Sequence, residues 1–320
     1  MQSSTILSIF ACFLLTLSAC APEVTATRGD FEPLPLSLPE RFDNPSSPEK
    51  LSLGKLLFYD PILSGEKDVA CATCHHPRHA FADDRELSLG VGGRGLGPTR
   101  QDQSGGSIPP AKRNSPSLIN VAYNGLVQGG FLDQAESPMF WDHRAMSLET
   151  QAIGPLLSFE EMRGNAYAEA DALDSIVARL QNNPEYVALF QKAFPGESSL
   201  EATQIAQALA VYQRSLVAPN SRFDRYLRGE TSALTPDEIT GLDQFIARGC
   251  AECHSGPMLS DYELHRLGVA DHPGLRDSDR GNGQDQFKTP TLRNVTRTAP
   301  YMHNGTQATL EDVIQFYNDQ

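Results

Sequence analysis

Two short segments combine cysteine and histidine at the spacing that covalent haem attachment requires. They read Cys71-Ala72-Thr73-Cys74-His75 and Cys250-Ala251-Glu252-Cys253-His254. In a helical segment, cysteines three residues apart and a histidine directly after them share one face. Two thioether bonds can then hold a porphyrin while the histidine coordinates its iron. Each segment therefore predicts one c-type haem.

Other uses of paired cysteines fit these segments less well. A four-ligand zinc site would bring two pairs close together in sequence, whereas these pairs lie far apart. A thioredoxin-like dithiol needs no following histidine and is expected near a βαβ pattern. The two remaining cysteines, Cys12 and Cys20, fall in a predicted export signal, so the mature chain has no pair for a structural disulfide.

The elements that must carry these motifs are predicted to be helices. Segment 201–217 repeats apolar residues at helical spacing, including Ile205, Leu209, Tyr212 and Leu216. Thr235-Pro236-Asp237-Glu238 is a capping box that opens a helix leading to the second motif, and Thr309-x-x-Asp312 resembles another helix start. The Gly-rich stretch 90–107 is typical of a long loop. The predicted fold is mainly α, with two cytochrome c-like haem domains over 50–215 and 216–320.

The N-terminus indicates export. An apolar run over 6–19 is too short to span a membrane and ends at Leu17-Ser18-Ala19-Cys20, which resembles a bacterial lipobox. We therefore predict a lipoprotein signal peptide over 1–20, an anchor at Cys20 on the periplasmic side of a bacterial membrane, and a Pro-rich tether over 21–49. The Ala21 after the anchor weakly favours the outer membrane. Ordinary cleavage near Ala19 or Ala21, which would leave a soluble periplasmic protein, is the alternative.

The charge of the chain limits its partners. The formal net charge of −14 argues against nucleic acid, because phosphate binding needs a basic surface. An acidic protein would suit a basic partner such as a small electron carrier.

Beyond the two motifs, several segments resemble the bacterial di-haem cytochrome c peroxidase family, including its MauG-like branch. The resemblance extends from about Leu51 to the C-terminus. The segments that carry it are Leu53-Gly54-Lys55-Leu56-Leu57-Phe58-Tyr59-Asp60-Pro61, Arg113-Asn114-Ser115-Pro116-Ser117-Leu118, Phe140-Trp141-Asp142-His143-Arg144-Ala145, Thr289-Pro290-Thr291-Leu292-Arg293-Asn294 and Thr298-Ala299-Pro300-Tyr301-Met302-His303-Asn304-Gly305.

The resemblance implies a division of labour between the haems. The haem on His75 would react with hydrogen peroxide, and the haem on His254 would receive or store electrons. Trp141 matches the family's indole between the haems. Glu161 matches the distal carboxylate that moves protons during O–O cleavage, with Gln151 and Pro155 completing that pocket. Read alone, Trp141 would be a core residue and Glu161 part of a solvated acidic pair.

A calcium site is also implied by the resemblance. Its ligands would be Asn114 and the backbone carbonyls of Thr298 and Pro300, which are hard oxygen donors of the kind that calcium prefers. The expected cofactors are therefore two covalently bound c-type haems and one calcium ion.

Two departures from the family pattern bear on the branch. Val91 stands where reductively activated peroxidases have a histidine on the distal side of the first haem, and valine cannot bind iron, so that side should be open. His76 and His79 would lie at the surface or face the haem propionates.

Tyr317 stands where the peroxidases have a methionine ligand to the second haem, and tyrosine there is the MauG arrangement. Alternatively, Tyr317 only packs on a helix and Met258 or Met302 binds the iron. Relatives continue beyond the position of Gln320, which leaves either a truncated sequence or a less covered second haem.

Three functions follow as hypotheses. The first is a peroxidase that reduces hydrogen peroxide with electrons from a small cytochrome c or cupredoxin. The second is a MauG-like enzyme that uses peroxide to oxidise residues of a partner protein. The third is a non-catalytic di-haem electron carrier, against which Glu161, Gln151 and the missing distal histidine argue.

Overall fold

A computed structural model describes residues 26–320. The predicted signal peptide, the Cys20 anchor and the first part of the tether lie outside the described residues. The helices of the described part are α1 (Pro48–Tyr59), α2 (Cys71–Cys74), α3 (Leu148–Leu157), α4 (Ala172–Gln181), α5 (Pro184–Ala193), α6 (Ala202–Arg214), α7 (Arg222–Leu227), α8 (Pro236–Ala247) and α9 (Leu310–Asn318).

Strands are few and short, so the predicted mainly α class is confirmed. β1 (Gly93–Arg94) pairs antiparallel with β2 (Gln101–Asp102), and β3 (Leu264–His265) pairs antiparallel with β4 (Phe287–Lys288). The first pair lies within the stretch 90–107, which is otherwise the predicted long loop. Among residues 26–320, no helix is long and apolar enough to cross a membrane.

Helix α6 is the centre of the larger core. It packs on α1 and α3, and its side chains are buried on almost every side, including Ile205, Leu209 and Tyr212. A single apolar stripe was expected here, but α6 lies between other helices and must bury several faces. Gly54 of α1 allows the close approach, because a Cβ there would lie 1.9 Å from the carbonyl oxygen of Ala208.

A second, smaller core brings together distant parts of the chain. Its buried side chains are Leu34, Tyr123, Leu126, Leu132, Met258 and Tyr262. These residues come from both sides of position 215, and the domain boundary there stays a prediction.

Part of the predicted Pro-rich tether packs on the rest of the protein, and its role as a tether stays a prediction. Leu34 is 1% exposed, and its backbone N–H donates to Asp224 Oδ1 at 2.9 Å. The Gly256 N–H donates to the carbonyl of Asp30 at 2.7 Å. We call residues 28–38 the N-terminal strap, because apolar burial and hydrogen bonds hold them against α7 and against the segment that follows the second motif.

Candidate functional site

The first motif has the geometry of a haem-binding segment. Cys71 and Cys74 form the two ends of α2, and His75 follows directly. His75 Nδ1 lies 3.0 Å from the carbonyl oxygen of Phe81, which accepts its proton and leaves Nε2 as the metal-binding nitrogen. Neither cysteine forms a disulfide, so both sulfurs can make thioether bonds to a haem. The residues therefore fit covalent haem attachment with axial histidine ligation.

The second motif repeats this arrangement on a different backbone. Cys250–Glu252 form a 3-10 turn after Gly249, whose φ of 79° ends the preceding helix region. His254 Nδ1 lies 3.0 Å from the carbonyl oxygen of Leu259. The second motif was expected to be α-helical, but it forms a tighter 3-10 turn. Its histidine is nevertheless oriented by a backbone carbonyl, as His75 is in the first motif. Cys250 and Cys253 likewise form no disulfide.

Helices α8 and α9 both lie near the second motif: α8 contacts the Cys250–Glu252 turn, and Tyr317 of α9 lies near Cys250 and Cys253. Both begin with the predicted capping boxes, at Thr235 and Thr309. Neither helix buries any side chain completely, and Ile314 of α9 is 62% exposed. A porphyrin face needs apolar side chains to pack on it, so these helices fit a second haem.

Tyr317 of α9 lies near the cysteines of the second motif. The pKa of its phenol is raised by burial and by the nearby Cys253 and Cys250 sulfurs. Of the two alternative ligands, Met258 is 0% exposed and packs in the second core, so its sulfur is committed there. Met302 is half-buried. The described residues therefore leave Tyr317 and Met302 as axial-ligand candidates for the second haem.

Glu161 is carried by an irregular turn beside the first motif. Helix α3 buries Leu148, Ala152 and Leu156 and leaves Gln151 and Pro155 together on a half-buried face. One π-helical turn, Phe159–Arg163, follows, in which the Arg163 N–H donates to the Ser158 carbonyl at 2.9 Å. Such turns are frequent at functional sites, and the sequence did not predict this one.

The environment of Glu161 suits proton transfer. Burial raises the pKa of its carboxyl group, and the positive charge of Arg144 opposes this only in part. The charge of Glu161 also helps to raise the pKa of Cys71 and of Cys74, so the carboxylate lies beside the first motif. Val91 is 3% exposed, and its N–H donates to the carbonyl of Glu161 at 3.0 Å. Val91 therefore lies against the turn that carries the predicted acid–base residue.

Trp141 connects the two halves of the chain. Its indole Nε1 donates to the carbonyl of Asn114 at 2.9 Å, and its own carbonyl accepts the N–H of Lys288 at 2.7 Å. Asn114 in turn donates its N–H to the carbonyl of His303 at 2.8 Å. The side chain and backbone of Trp141 are thus held from both halves, as a residue between two haems would need.

The residues of the predicted calcium site have oxygens to offer. Asn114 Nδ2 donates to the carbonyl of Arg85 at 2.8 Å, which leaves Oδ1 for another ligand. Thr298 Oγ1 donates to the carbonyl oxygen of Val295, and this bond does not use the backbone carbonyl of Thr298, which is the predicted calcium ligand. Hard oxygens of this kind suit calcium, and the site itself stays a prediction.

Two arginines near the site had no role in the sequence-based prediction. Arg113 pairs with Asp142 at 2.8 Å and with Asp279 at 2.6 Å, which links the Trp141 segment to the C-terminal half. Arg100 is buried and donates to three backbone carbonyls. His79 lies 3.3 Å from Asp84, and both side chains are part-exposed, which agrees with the expected surface position.

Two Cys-x-x-Cys-His segments with oriented histidines, a mainly helical fold and a carboxylate beside the first motif are the features of a c-type di-haem protein. The model of the family described as "Di-haem cytochrome c peroxidase" matches residues 48–232. The chain belongs to this family, whose members are haem oxidoreductases, and the resemblance inferred from the sequence is confirmed.

Individual relatives and a solved structure support the same family membership. The chain is 33% identical to the methylamine utilization protein MauG of Methylorubrum extorquens over 94% of this chain and 77% of that protein. It is 32% identical to the cytochrome c551 peroxidase of Pseudomonas aeruginosa over 98% and 85%, respectively. The crystal structure of a MauG-like protein associated with microbial copper homeostasis aligns with a TM-score of 0.70, at 31% identity, over 89% of this chain and 81% of that one.

Proposed function

We propose that the protein reduces hydrogen peroxide at a haem held by His75, with electrons that pass through a second haem held by His254. The observation that carries this proposal is the position of Glu161, a carboxyl group with a raised pKa on a π-helical turn beside the first motif. A haem attached there would bind peroxide at its iron and supply oxidising equivalents.

The protein's own residues would move the protons. Ionised Glu161 would accept a proton from hydrogen peroxide and return it to the oxygen that leaves as water. Gln151, on the half-buried face of α3, would hydrogen-bond the peroxide, and Pro155 on the same face would limit the space beside it. Val91 brings no competing iron ligand to this side, so no reductive activation step is needed.

Trp141 is the proposed connection between the two haems. Its indole and backbone are held by Asn114 and Lys288 from the two halves of the chain. The electrons would come from a small donor protein, a cytochrome c or cupredoxin, for which the acidic chain is suited. We also propose the calcium ion at Asn114, Thr298 and Pro300, and a periplasmic location with a lipid anchor at Cys20.

A MauG-like reaction is the second candidate. In that reaction peroxide would drive oxidation of residues on a partner protein. Val91 and Tyr317 favour it, because a phenolate ligand on the second haem stabilises its oxidised states. A non-catalytic electron carrier is disfavoured, since it has no use for Glu161 beside an open haem face.

One experiment separates these functions. Stoichiometric hydrogen peroxide is added to the diferric holoprotein while the spectra of both haems are followed, and reduced cytochrome c is then supplied. Rapid oxidation of the cytochrome with catalytic turnover of peroxide is the expected result. A persistent change at both haems without cytochrome oxidation would favour the MauG-like reaction, and no spectral response to peroxide would overturn both enzymatic functions.

A further inference from the structure

The guanidinium group of Arg100 is buried beside the first motif. Arg100 is 4% exposed, and all three of its nitrogens donate to backbone carbonyls. Nε donates to Leu89 at 2.6 Å, Nη2 to Gly90 at 2.6 Å and Nη1 to Gly95 at 2.9 Å. Burying a guanidinium group costs free energy unless its N–H groups make good hydrogen bonds. Here all of those bonds go to one loop, so Arg100 fixes the conformation of that loop.

The carbonyls that Arg100 binds lie next to Val91. The two peptide groups before Val91 are fixed by Nε and Nη2, and the far side of the loop is fixed by Nη1. The Gly92 N–H is bound by Asp68 Oδ2 at 3.1 Å. We call residues 89–95 the Val91 loop. With three glycines besides Gly90, it would sample many conformations without these bonds.

The Val91 loop is pressed against the turn that carries Glu161. A Cβ at Gly90 would lie 2.1 Å from the carbonyl oxygen of Glu160 and 2.2 Å from that of Glu161. The Val91 N–H donates to the Glu161 carbonyl at 3.0 Å. Glycine is needed for this approach, and the contact transmits any displacement of the loop to the π-helical turn.

The loop also borders the space next to the first motif. A cleft of about 510 Å³ is lined by residues 92–96 of the loop region, by Arg100 and by Thr73 of the motif. A loop released from Arg100 could move into this cleft and take the Glu161 turn with it.

We propose that Arg100 is a positioning residue for Glu161, acting through the Val91 loop to hold the carboxylate beside an open first haem. This inference rests on the proposed peroxide reaction at that haem. Arg100 touches no reacting group; it fixes the peptide groups of Leu89 and Gly90, which fix Val91, which in turn holds the Glu161 backbone.

The test compares Arg100→Gln with Arg100→Lys and with the control Arg94→Gln, all as holoproteins with two haems. Arg94 lies in the same loop but is exposed, so its loss should change nothing. The lysine variant keeps a charge and loses the fork that reaches several carbonyls, so it should show a smaller effect. It also serves if the glutamine variant does not accumulate.

Two readouts are measured. The first is amide hydrogen exchange over residues 89–95 and 159–163, which we expect Arg100→Gln to accelerate roughly tenfold or more. The second is the second-order rate constant for peroxide, which should fall roughly a hundredfold when the acid–base group is misplaced. The acid limb of its pH profile should move to lower pH, because a Glu161 released toward solvent has a lower pKa.

The outcomes are distinct. Unchanged exchange and an unchanged pH profile in Arg100→Gln would overturn the proposal. Faster exchange with an unaltered peroxide rate would also overturn it, since Arg100 would then be structural only. If the wild-type holoprotein does not react with peroxide, the proposed function fails, and cyanide binding to the first ferric haem then decides whether Arg100 shapes its distal side. An affinity that differs between Arg100→Gln and Arg94→Gln would support that role, and equal affinities would contradict it.

Discussion

At the scale of single residues, the ionisation of Glu161 sets the expected pH dependence. Burial raises the pKa of its carboxyl group above the usual range, and only the ionised form can accept a proton from peroxide. The peroxide rate should therefore fall as the pH drops through this raised pKa. Stopped-flow measurement of the reaction across pH checks this, and a flat profile on the acid side would contradict it.

Replacing the carboxylate gives a sharper test of the same residue. Glu161→Gln should slow the peroxide reaction by about 10²- to 10⁴-fold and remove its acid limb. Glu160→Gln is the matched control, because it removes one carboxylate from the same π-helical turn. Equal rates in the two variants would show that Glu161 is not the acid–base group.

Tyr317 carries a second prediction at this scale. Tyr317→Met should shift the spectrum of the second haem and raise its reduction potential, because a thioether favours ferrous iron. Tyr317→Phe should leave that haem without this ligand. Spectroelectrochemistry of the holoproteins measures both changes, and Met302→Leu serves as the control. If only the Met302 variant alters the second haem, Met302 is the ligand.

The sequence alone predicts the role of a residue only where that role requires a fixed spacing between neighbouring residues. Both haem motifs are of this kind, because attachment needs cysteine and histidine at fixed intervals. The interactions of Arg100 and Arg113 were not predicted, because their partners are backbone carbonyls or carboxylates distant in sequence, which leave no local pattern. Glu161 was found only through its neighbours in the family resemblance.

At the scale of elements, the close packing of α1 on α6 depends on Gly54, which has no side chain. A Cβ at Gly54 would lie 1.9 Å from the Ala208 carbonyl, and backbone cannot move aside cheaply. Gly54→Ala should lower the free energy of unfolding by about 3 kcal/mol, as overpacking does. Chemical denaturation measures this value. Gly241→Ala, in an exposed helix position with open space, should be neutral or stabilising by up to about 1 kcal/mol.

Helix ends were easier to predict than helix environments. The capping boxes at Thr235 and Thr309 are local hydrogen-bond patterns, and both helices begin as expected. The burial of α6 on nearly all sides depends on α1 and α3, which are distant in sequence. The π-helical turn after α3 likewise has no local signature, since its extra residue is accommodated by tertiary contacts.

At the scale of the whole molecule, one buried ion pair joins three distant segments. Asp224 of α7 is 0% exposed and lies 2.7 Å from Arg293 Nη1, while it also accepts the N–H of Leu34 in the strap. Arg293 donates through Nε to the carbonyl of Pro257, close to the second motif. Loss of one partner would leave the other charge buried and unpaired.

Asp224→Asn should therefore destabilise the protein by about 3–5 kcal/mol in chemical denaturation. Asp243→Asn is the control, because its pair with Arg28 is half exposed, so water screens the pair and its loss should change stability little. Similar losses in both variants would contradict a special role for the buried pair.

The same pair predicts a pH effect on stability. Burial alone would raise the pKa of Asp224, but the Ser221 hydrogen bond and the Arg293 charge lower it below its usual value. A lowered folded-state pKa adds stability at neutral pH, and this is lost as the pH falls through the usual value and on toward the folded one. The loss of stability in acid should be smaller in Asp224→Asn than in the wild-type protein.

The N-terminal strap has a practical consequence for anyone who wishes to express part of this chain. The family match covers residues 48–232, and a gene fragment cut at those limits looks like a natural unit. Such a fragment would lack Leu34, Met258 and Tyr262 and would leave Tyr123 and Leu126 uncovered. Boundaries chosen from sequence similarity alone would thus yield an aggregation-prone product, and useful truncations should keep the residues from the strap onward.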